Sequence, residues 1–162
     1  MKDLGRNLGA DVVPCFYRLV KAEGIGDIVT EIKSNAKYYI IIIKPEFRCS
    51  TKDMYSKIDN DINIEQKNNN KEMERALENN NIKEIAKNLY NVFEEVIEQK
   101  ENLNTIKQEL IQNGAEQALL TGSGSCIFGI FENRKKAKYA YKNLKEKYET
   151  YICTSFNKRK GK

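Results

Sequence analysis

The chain has 162 residues, of which 40% are hydrophobic and 31% are charged, and its formal net charge at pH 7 is +5. This length and balance fit one globular domain, or one domain plus a fragment. The sequence contains no histidine, which excludes histidine-based acid–base catalysis and histidine-containing metal sites.

Targeting and membrane signals are missing from the sequence. No apolar run approaches the roughly 20 residues of a membrane span. Charged residues interrupt the first twenty positions, so no signal-peptide core is present. We therefore expect a cytoplasmic protein without a membrane partner. The four cysteines match neither a zinc site nor a dense disulfide framework.

The positive charge is diffuse except in the C-terminal segment 157–162, which holds three lysines and one arginine. A basic tail can contact nucleic acid, but chain ends are more often solvated and frayed. The pattern favours a solvated basic tail, and we expect no nucleic-acid partner.

The predicted elements begin with two glycine-marked segments in the first 35 residues, at 8–11 and 23–27. The second segment predicts a tight strand-to-strand connection rather than a nucleotide loop. Residues 36–44 are bulky and apolar on both faces, which predicts a central strand covered on both sides. A helix is predicted after it, with Ser50 or Thr51 as its N-cap.

Farther along, apolar spacing predicts helices over 72–80, 82–99 and 102–113, the last ending at Gly114. Strands are predicted over 117–121 and 126–131, then a helix over 134–148 capped by Asn133, and a last strand over 150–156. Glu94, Glu95 and Glu98 are interpreted as a solvated helix face. The order predicts an α+β fold, a two-layer ferredoxin-like sandwich with helices on one face of a mostly antiparallel sheet.

Two segments could carry chemistry. In the first, Thr121, Gly122, Ser123, Gly124 and Ser125, the glycines would let backbone amides approach an anion closely, although glycines between two strands more often form a plain turn. It lacks the lysine of a P-loop and precedes a strand, so a P-loop is excluded. In the second, Asp11 could accept a proton from an alcohol or hold a magnesium ion, or it could simply cap a turn.

Taken together, four motifs occur in a distinctive order: LGADVVP at 8–14, AEGIG at 22–26, Lys44-Pro45 with Ser50-Thr51 and Tyr55, and LTGSGSCIF at 120–128. This combination resembles the GHMP kinase superfamily, and within it the later half of the kinases of 4-diphosphocytidyl-2-C-methyl-D-erythritol. The resemblance covers nearly the whole chain, from about Leu8 to Phe156.

The resemblance implies transfer of the γ-phosphoryl group of ATP to the 2-hydroxyl of that small-molecule substrate, in non-mevalonate isoprenoid biosynthesis. It implies ATP and magnesium (Mg2+) as cofactors. Asp11 matches the catalytic aspartate, and residues 121–125 match the glycine-rich loop near the ATP phosphates. The resemblance also implies substrate-side roles for Ala10, Pro45, Ser50 and Thr51.

The resemblance further implies a domain organisation. Residues 1–35 would be a remnant of the N-terminal kinase lobe, residues 36–156 the C-terminal ferredoxin-like domain, and residues 157–162 the basic tail. We expect the chain to be inactive without an ATP-binding N-terminal kinase half, which becomes an expected partner, and a homodimer stays open. The alternative is a non-catalytic ferredoxin-like binding or assembly module derived from a GHMP kinase.

Overall fold

The computed structural model describes residues 17, 19–24, 26, 28–34, 37–60 and 70–155. The first element in this part of the chain is an antiparallel hairpin of β1 (Val20–Glu23) and β2 (Ile28–Glu31). Gly24 and Gly26 have φ angles of 66° and 93°, and the Gly26 N–H donates to the Glu23 carbonyl at 3.1 Å. The predicted tight connection between strands is confirmed.

The main sheet has four strands: β3 (Tyr39–Lys44), β4 (Gln117–Leu120), β5 (Ile127–Phe131) and β6 (Glu149–Thr154). Their spatial order is β4–β5–β3–β6, and every neighbouring pair is antiparallel. Helices connect β3 to β4 and β5 to β6, which is the split βαβ arrangement of ferredoxin-like domains. The predicted α+β fold class is confirmed.

The helices of the described residues are α1 (Thr51–Asn60), α2 (Asn70–Glu78), α3 (Ile82–Asn88), α4 (Phe93–Val96), α5 (Lys100–Gln112) and α6 (Arg134–Leu144). Gly114, with φ 94°, ends α5 in a Schellman motif, since its N–H donates to Ile111 and that of Ala115 donates to Leu110. The Asn133 side chain caps α6 by accepting the Lys136 N–H at 3.0 Å. None of these helices is long and apolar enough to cross a membrane.

The prediction of one continuous helix over 82–99 is wrong. Helix α3 ends at Asn88, Leu89 is extended with ψ 127°, and α4 begins only at Phe93. The apolar spacing runs on across this break, so periodicity could not reveal it. Instead of continuing the helix, Asn91 accepts the Phe93 N–H through its side-chain oxygen at 3.0 Å, an Asx turn that offers the backbone an alternative to the helix.

The core lies on both faces of the sheet. On one face, Ile41 and Ile43 are fully buried against α5 and α6. On the other face, Ile40 and Ile130 pack against α2 and α3. The prediction that β3 is covered on both sides is confirmed, but the prediction of helices on one face alone is wrong. Because alternate β3 residues are apolar on both faces, an uncovered second face would have left a large apolar area in water.

Candidate functional site

Residues 121–125 form a tight loop that joins β4 to β5. The Thr121 N–H donates to the Cys126 carbonyl at 2.9 Å, and the Gly124 N–H donates back to the Thr121 carbonyl at 3.0 Å. Gly122 and Gly124 have φ angles of 55° and 94°, a region that L side chains rarely adopt. The loop therefore depends on its two glycines to make this turn.

Some backbone amides of this loop could bind a ligand. Within the described ranges, the N–H groups of Gly122, Ser123 and Ser125 have no hydrogen-bond acceptor. Gly122 is exposed, and both serines are half-buried. Unpaired amides in a glycine-rich turn form a partial positive charge that suits an anion such as phosphate. The local chemistry therefore fits the anion-binding interpretation of this segment.

An asparagine that the sequence analysis did not single out holds the start of the loop. The Asn91 side-chain nitrogen donates to the carbonyl oxygens of Leu120 and Gly122, each at 2.8 Å. Asn91 lies in the break between α3 and α4. The only signal in the sequence was a polar amide inside an otherwise apolar helical period.

Glu94, at the start of α4, holds the same strand end. Its carboxylate accepts the Leu120 N–H at 2.6 Å and also forms an ion pair with Lys107 of α5. The Glu94 and Lys107 side chains are only 16% and 20% exposed. The interpretation of Glu94 as part of a solvated face is therefore wrong, because the helix break turns it towards β4. Glu98, which pairs with Lys57, is 70% exposed as expected.

Together, Asn91 and Glu94 act as a substitute for a neighbouring strand. Strand β4 is an edge of the sheet, so the outward polar groups of Leu120 have no backbone partner there. The Asn91 side chain donates to the Leu120 carbonyl, and the Glu94 carboxylate accepts the Leu120 N–H. Leu120 itself is 1% exposed. The strand end that leads into the loop is thus fully hydrogen-bonded away from water.

The segment after β3 also contacts the loop. Ser50 caps α1, since its hydroxyl lies 3.4 Å from the Asp53 nitrogen and its carbonyl accepts the Met54 N–H. The next residue, Thr51, forms a side-chain hydrogen bond with Ser123 at 2.9 Å. The prediction of an N-cap at this position is confirmed. The structure brings the predicted substrate-side segment into direct contact with the loop.

Cys49 packs against the turn of the loop at Gly124. A Cβ atom placed on Gly124 would lie 2.9 Å from the Cys49 sulfur and 3.2 Å from a Leu120 methyl group. Burial is the main cause that raises the pKa of the Cys49 thiol, and the charge of Glu98 adds to it while Lys57 opposes it. The thiol therefore acts as a neutral packing group against the loop.

Pro45 faces a cavity of about 770 Å³ that also reaches Ser125, at the end of the loop. Side chains of both charges line it, together with two aromatic rings: Lys44, Glu46, Phe47, Arg48, Lys147, Tyr148 and Glu149. The Lys44 ammonium donates a hydrogen bond to the Glu149 carboxylate at 2.9 Å. This hydrogen bond is the main cause that raises the pKa of Lys44. A cavity of this size can hold a small-molecule ligand.

The structure thus brings the loop 121–125 and the predicted residues Pro45, Ser50 and Thr51 to the same end of the main sheet. The predicted residues Asp11 and Ala10 lie outside the described residues, as do residues 157–162 of the basic tail. Among the residues that are described, no group of three or more acidic or cysteine side chains could hold a metal ion.

Comparison with known proteins gives the class of this domain. A family model described as "GHMP kinases C terminal" matches residues 73–150, which hold the helices and strands around the loop. Residues 73–150 therefore belong to a GHMP kinase C-terminal domain.

The similarity extends to one kinase in particular. The chain is 40% identical to 4-diphosphocytidyl-2-C-methyl-D-erythritol kinase of Clostridium tetani over 92% of its length, which covers 54% of that relative. It is 35% identical to the kinase of the same name from Clostridium botulinum, over 95% of this chain and 55% of the relative. The chain thus corresponds to the C-terminal portion of these enzymes and spans about half their length.

A solved structure agrees in fold. The crystal structure of a 4-(cytidine 5′-diphospho)-2C-methyl-D-erythritol kinase superposes with a TM-score of 0.77, covering 94% of this chain and 56% of that one at 21% identity. At this identity the likeness establishes the fold.

Proposed function

We propose that this chain supplies the C-terminal part of a 4-diphosphocytidyl-2-C-methyl-D-erythritol kinase and that residues 121–125 receive the phosphates of ATP. The observation that carries the proposal is that the N–H groups of Gly122, Ser123 and Ser125 find no acceptor among the described residues. The proposed substrate comes from the name of the relatives, which are 35–40% identical to this chain over the part that aligns. Because the chain spans about half of them, the activity of the whole enzyme is itself part of the proposal.

The loop would act by electrostatic stabilisation. Phosphoryl transfer depends mainly on positioning and on stabilising charge that spreads over the phosphate oxygens. Backbone amides held in place before the reaction stabilise such charge without having to reorganise. The hydrogen bonds that Asn91 and Thr51 make to the loop keep those amides in a fixed arrangement.

Asp11 would act on the other reactant. A carboxylate next to the substrate 2-hydroxyl can take its proton as the oxygen attacks phosphorus. Ala10, Pro45, Ser50 and Thr51 would form the substrate side, and the cavity that Pro45 shares with Ser125 gives a small molecule access to the loop.

Magnesium belongs to the same proposal, since it neutralises phosphate charge during phosphoryl transfer. Magnesium usually takes one or two protein carboxylates together with substrate phosphates and water. The described residues fit the phosphate rather than the metal, since they offer amide donors and no cluster of acidic ligands.

The part of the kinase that this chain does not cover would supply further contacts to ATP. We expect residues 1–162 alone to bind ATP weakly and to lack turnover, because one loop supplies few of the contacts in the transition state. Each ~1.4 kcal/mol of lost stabilisation lowers the rate about tenfold.

The test is reconstitution with that part, taken from the Clostridium tetani relative and joined ahead of this chain. We expect ATP-dependent phosphorylation of 4-diphosphocytidyl-2-C-methyl-D-erythritol. Asp11→Asn should then lower kcat by about 10²-fold or more, as loss of a general base does, with little change in the affinity for ATP. Absence of product from a folded, ATP-binding chimera would overturn the proposal, and unchanged turnover in Asp11→Asn would overturn the role of Asp11.

A further inference from the structure

We propose that Asn91 is a positioning residue for the phosphate contacts of the loop: its side-chain amide fixes the peptide between Gly122 and Ser123 so that the Ser123 N–H faces away from the protein. The inference rests on the proposed function for what the loop binds. The way Asn91 holds this peptide, called the clamp below, rests only on the hydrogen bonds of Asn91.

Peptide geometry links the two groups. The Asn91 nitrogen donates to the Gly122 carbonyl at 2.8 Å. That carbonyl and the Ser123 N–H belong to one planar trans peptide unit, in which C=O and N–H point in opposite directions. Holding the carbonyl against Asn91 therefore turns the Ser123 N–H outward, where the described residues offer it no acceptor.

The orientation of the Asn91 amide is itself determined by its surroundings. An asparagine side chain has two donor hydrogens and one acceptor oxygen. Both hydrogens are used by the carbonyls of Leu120 and Gly122, and the oxygen accepts the Phe93 N–H at 3.0 Å. A flipped amide would put its oxygen against two carbonyl oxygens, so the network allows one orientation.

Asn91 also stands on an anchored segment. Glu94, three residues later, holds the Leu120 N–H and pairs with Lys107 of α5. The break between α3 and α4 is therefore tied to the same strand end that it supports. Loss of the Asn91 donors should release the loop while this anchor stays in place.

Asn91→Asp is the sharpest variant. It preserves size and keeps an acceptor for the Phe93 N–H, but it replaces the donor nitrogen by an oxygen that faces two carbonyls. Asn104→Asp is the matched control, because Asn104 is an exposed asparagine on α5 that forms no hydrogen bond with the loop among the described residues. If circular dichroism shows that Asn91→Asp is unfolded, Asn91→Ser is used in its place. Serine keeps an uncharged acceptor but lacks the two-donor amide.

The first measurement is amide hydrogen exchange in the full chain. The Thr121 and Gly124 N–H groups close the loop, and we expect them to exchange about tenfold faster or more in Asn91→Asp, the effect of losing hydrogen bonds of about 1 kcal/mol each. Asn104→Asp should leave them unchanged. Equal exchange in the unmodified chain and in Asn91→Asp would overturn the clamp.

The second measurement uses the reconstituted kinase. Asn91→Asp should raise KM for ATP about tenfold or more, matching the loss expected for these hydrogen bonds, and leave KM for the alcohol substrate unchanged. A purely structural role would lower the active fraction, and hence kcat, with both KM values unchanged, and that result would overturn the positioning role. If the unmodified chimera is inactive, the proposed function fails, while the exchange experiment still decides the clamp.

Discussion

The hydroxyl groups of Thr51 and Ser123 lie 2.9 Å apart, although 72 positions separate them in the chain. This bond ties the first residue of α1 to the middle of the loop. It joins the two segments to which the family resemblance assigns the substrate and the ATP phosphates.

The coupling between these hydroxyls can be measured with a double-mutant cycle. Thr51→Val and Ser123→Ala should each lower the free energy of unfolding slightly, with a coupling of about 0.5–1 kcal/mol, because a net hydrogen bond is worth this much and the pair is exposed. Urea unfolding of the four proteins gives the value. Purely additive effects would mean that the bond contributes nothing to holding the loop.

The two loop glycines offer a matched comparison. Gly124→Ala should destabilise by about 2–4 kcal/mol, since it combines a positive φ with a Cβ forced against Cys49 and Leu120. Gly122→Ala should cost only about 1–2 kcal/mol, because φ is positive there but, apart from its chain neighbours, no heavy atom of the described residues lies within 4 Å of the new Cβ. Unfolding free energies in urea provide the comparison.

The close contact with the sulfur gives a control for this pair. Cys49→Ala should offset part of the cost of Gly124→Ala, because it removes the sulfur that the new Cβ meets at 2.9 Å, and should not offset the cost of Gly122→Ala. Equal costs for the two glycine variants would show that the loop is looser than this packing implies.

Glu94 is expected to stabilise the domain more than its neighbour. Glu94→Ala leaves the Leu120 N–H and Lys107 without their partner, which should cost about 1–3 kcal/mol. Glu95→Ala is the control, since Glu95 is exposed on the same short helix, and its effect should stay within about 0.5 kcal/mol. Thermal and urea unfolding measure the stability of both variants. Equal losses of stability would contradict the structural role of Glu94 and support its interpretation as a solvated side chain.

Local signals in the sequence predicted much of the fold. The apolar run of β3, the cap at Ser50, the cap at Asn133 and the glycine after α5 are all set by neighbouring residues, and the structure has each of them. The packing of helices on the second face of the main sheet was predicted only in part. The apolar residues of β3 indicated that it exists, but nothing local indicated that α2 and α3 provide it.

The supports of the loop could not be predicted in this way. Leu89, Val92 and Phe93 continue the helical period, and the helix nevertheless breaks where Asn91 reaches strand β4 and the loop about 30 positions later. Such a break is determined by tertiary contacts, which outweigh local propensity. The assignment of Asp11 stays a prediction, because that residue lies outside the described part of the chain.

The most direct test of the central claim is to titrate the isotope-labelled chain with inorganic triphosphate and follow its amide resonances. The amides of Gly122, Ser123 and Ser125 should shift together and saturate, while Gly114, a positive-φ glycine at the end of α5, stays unchanged. Shifts confined to the lysine-rich tail, with the loop amides unmoved at saturating triphosphate, would contradict the assignment of residues 121–125 as the phosphate-binding loop.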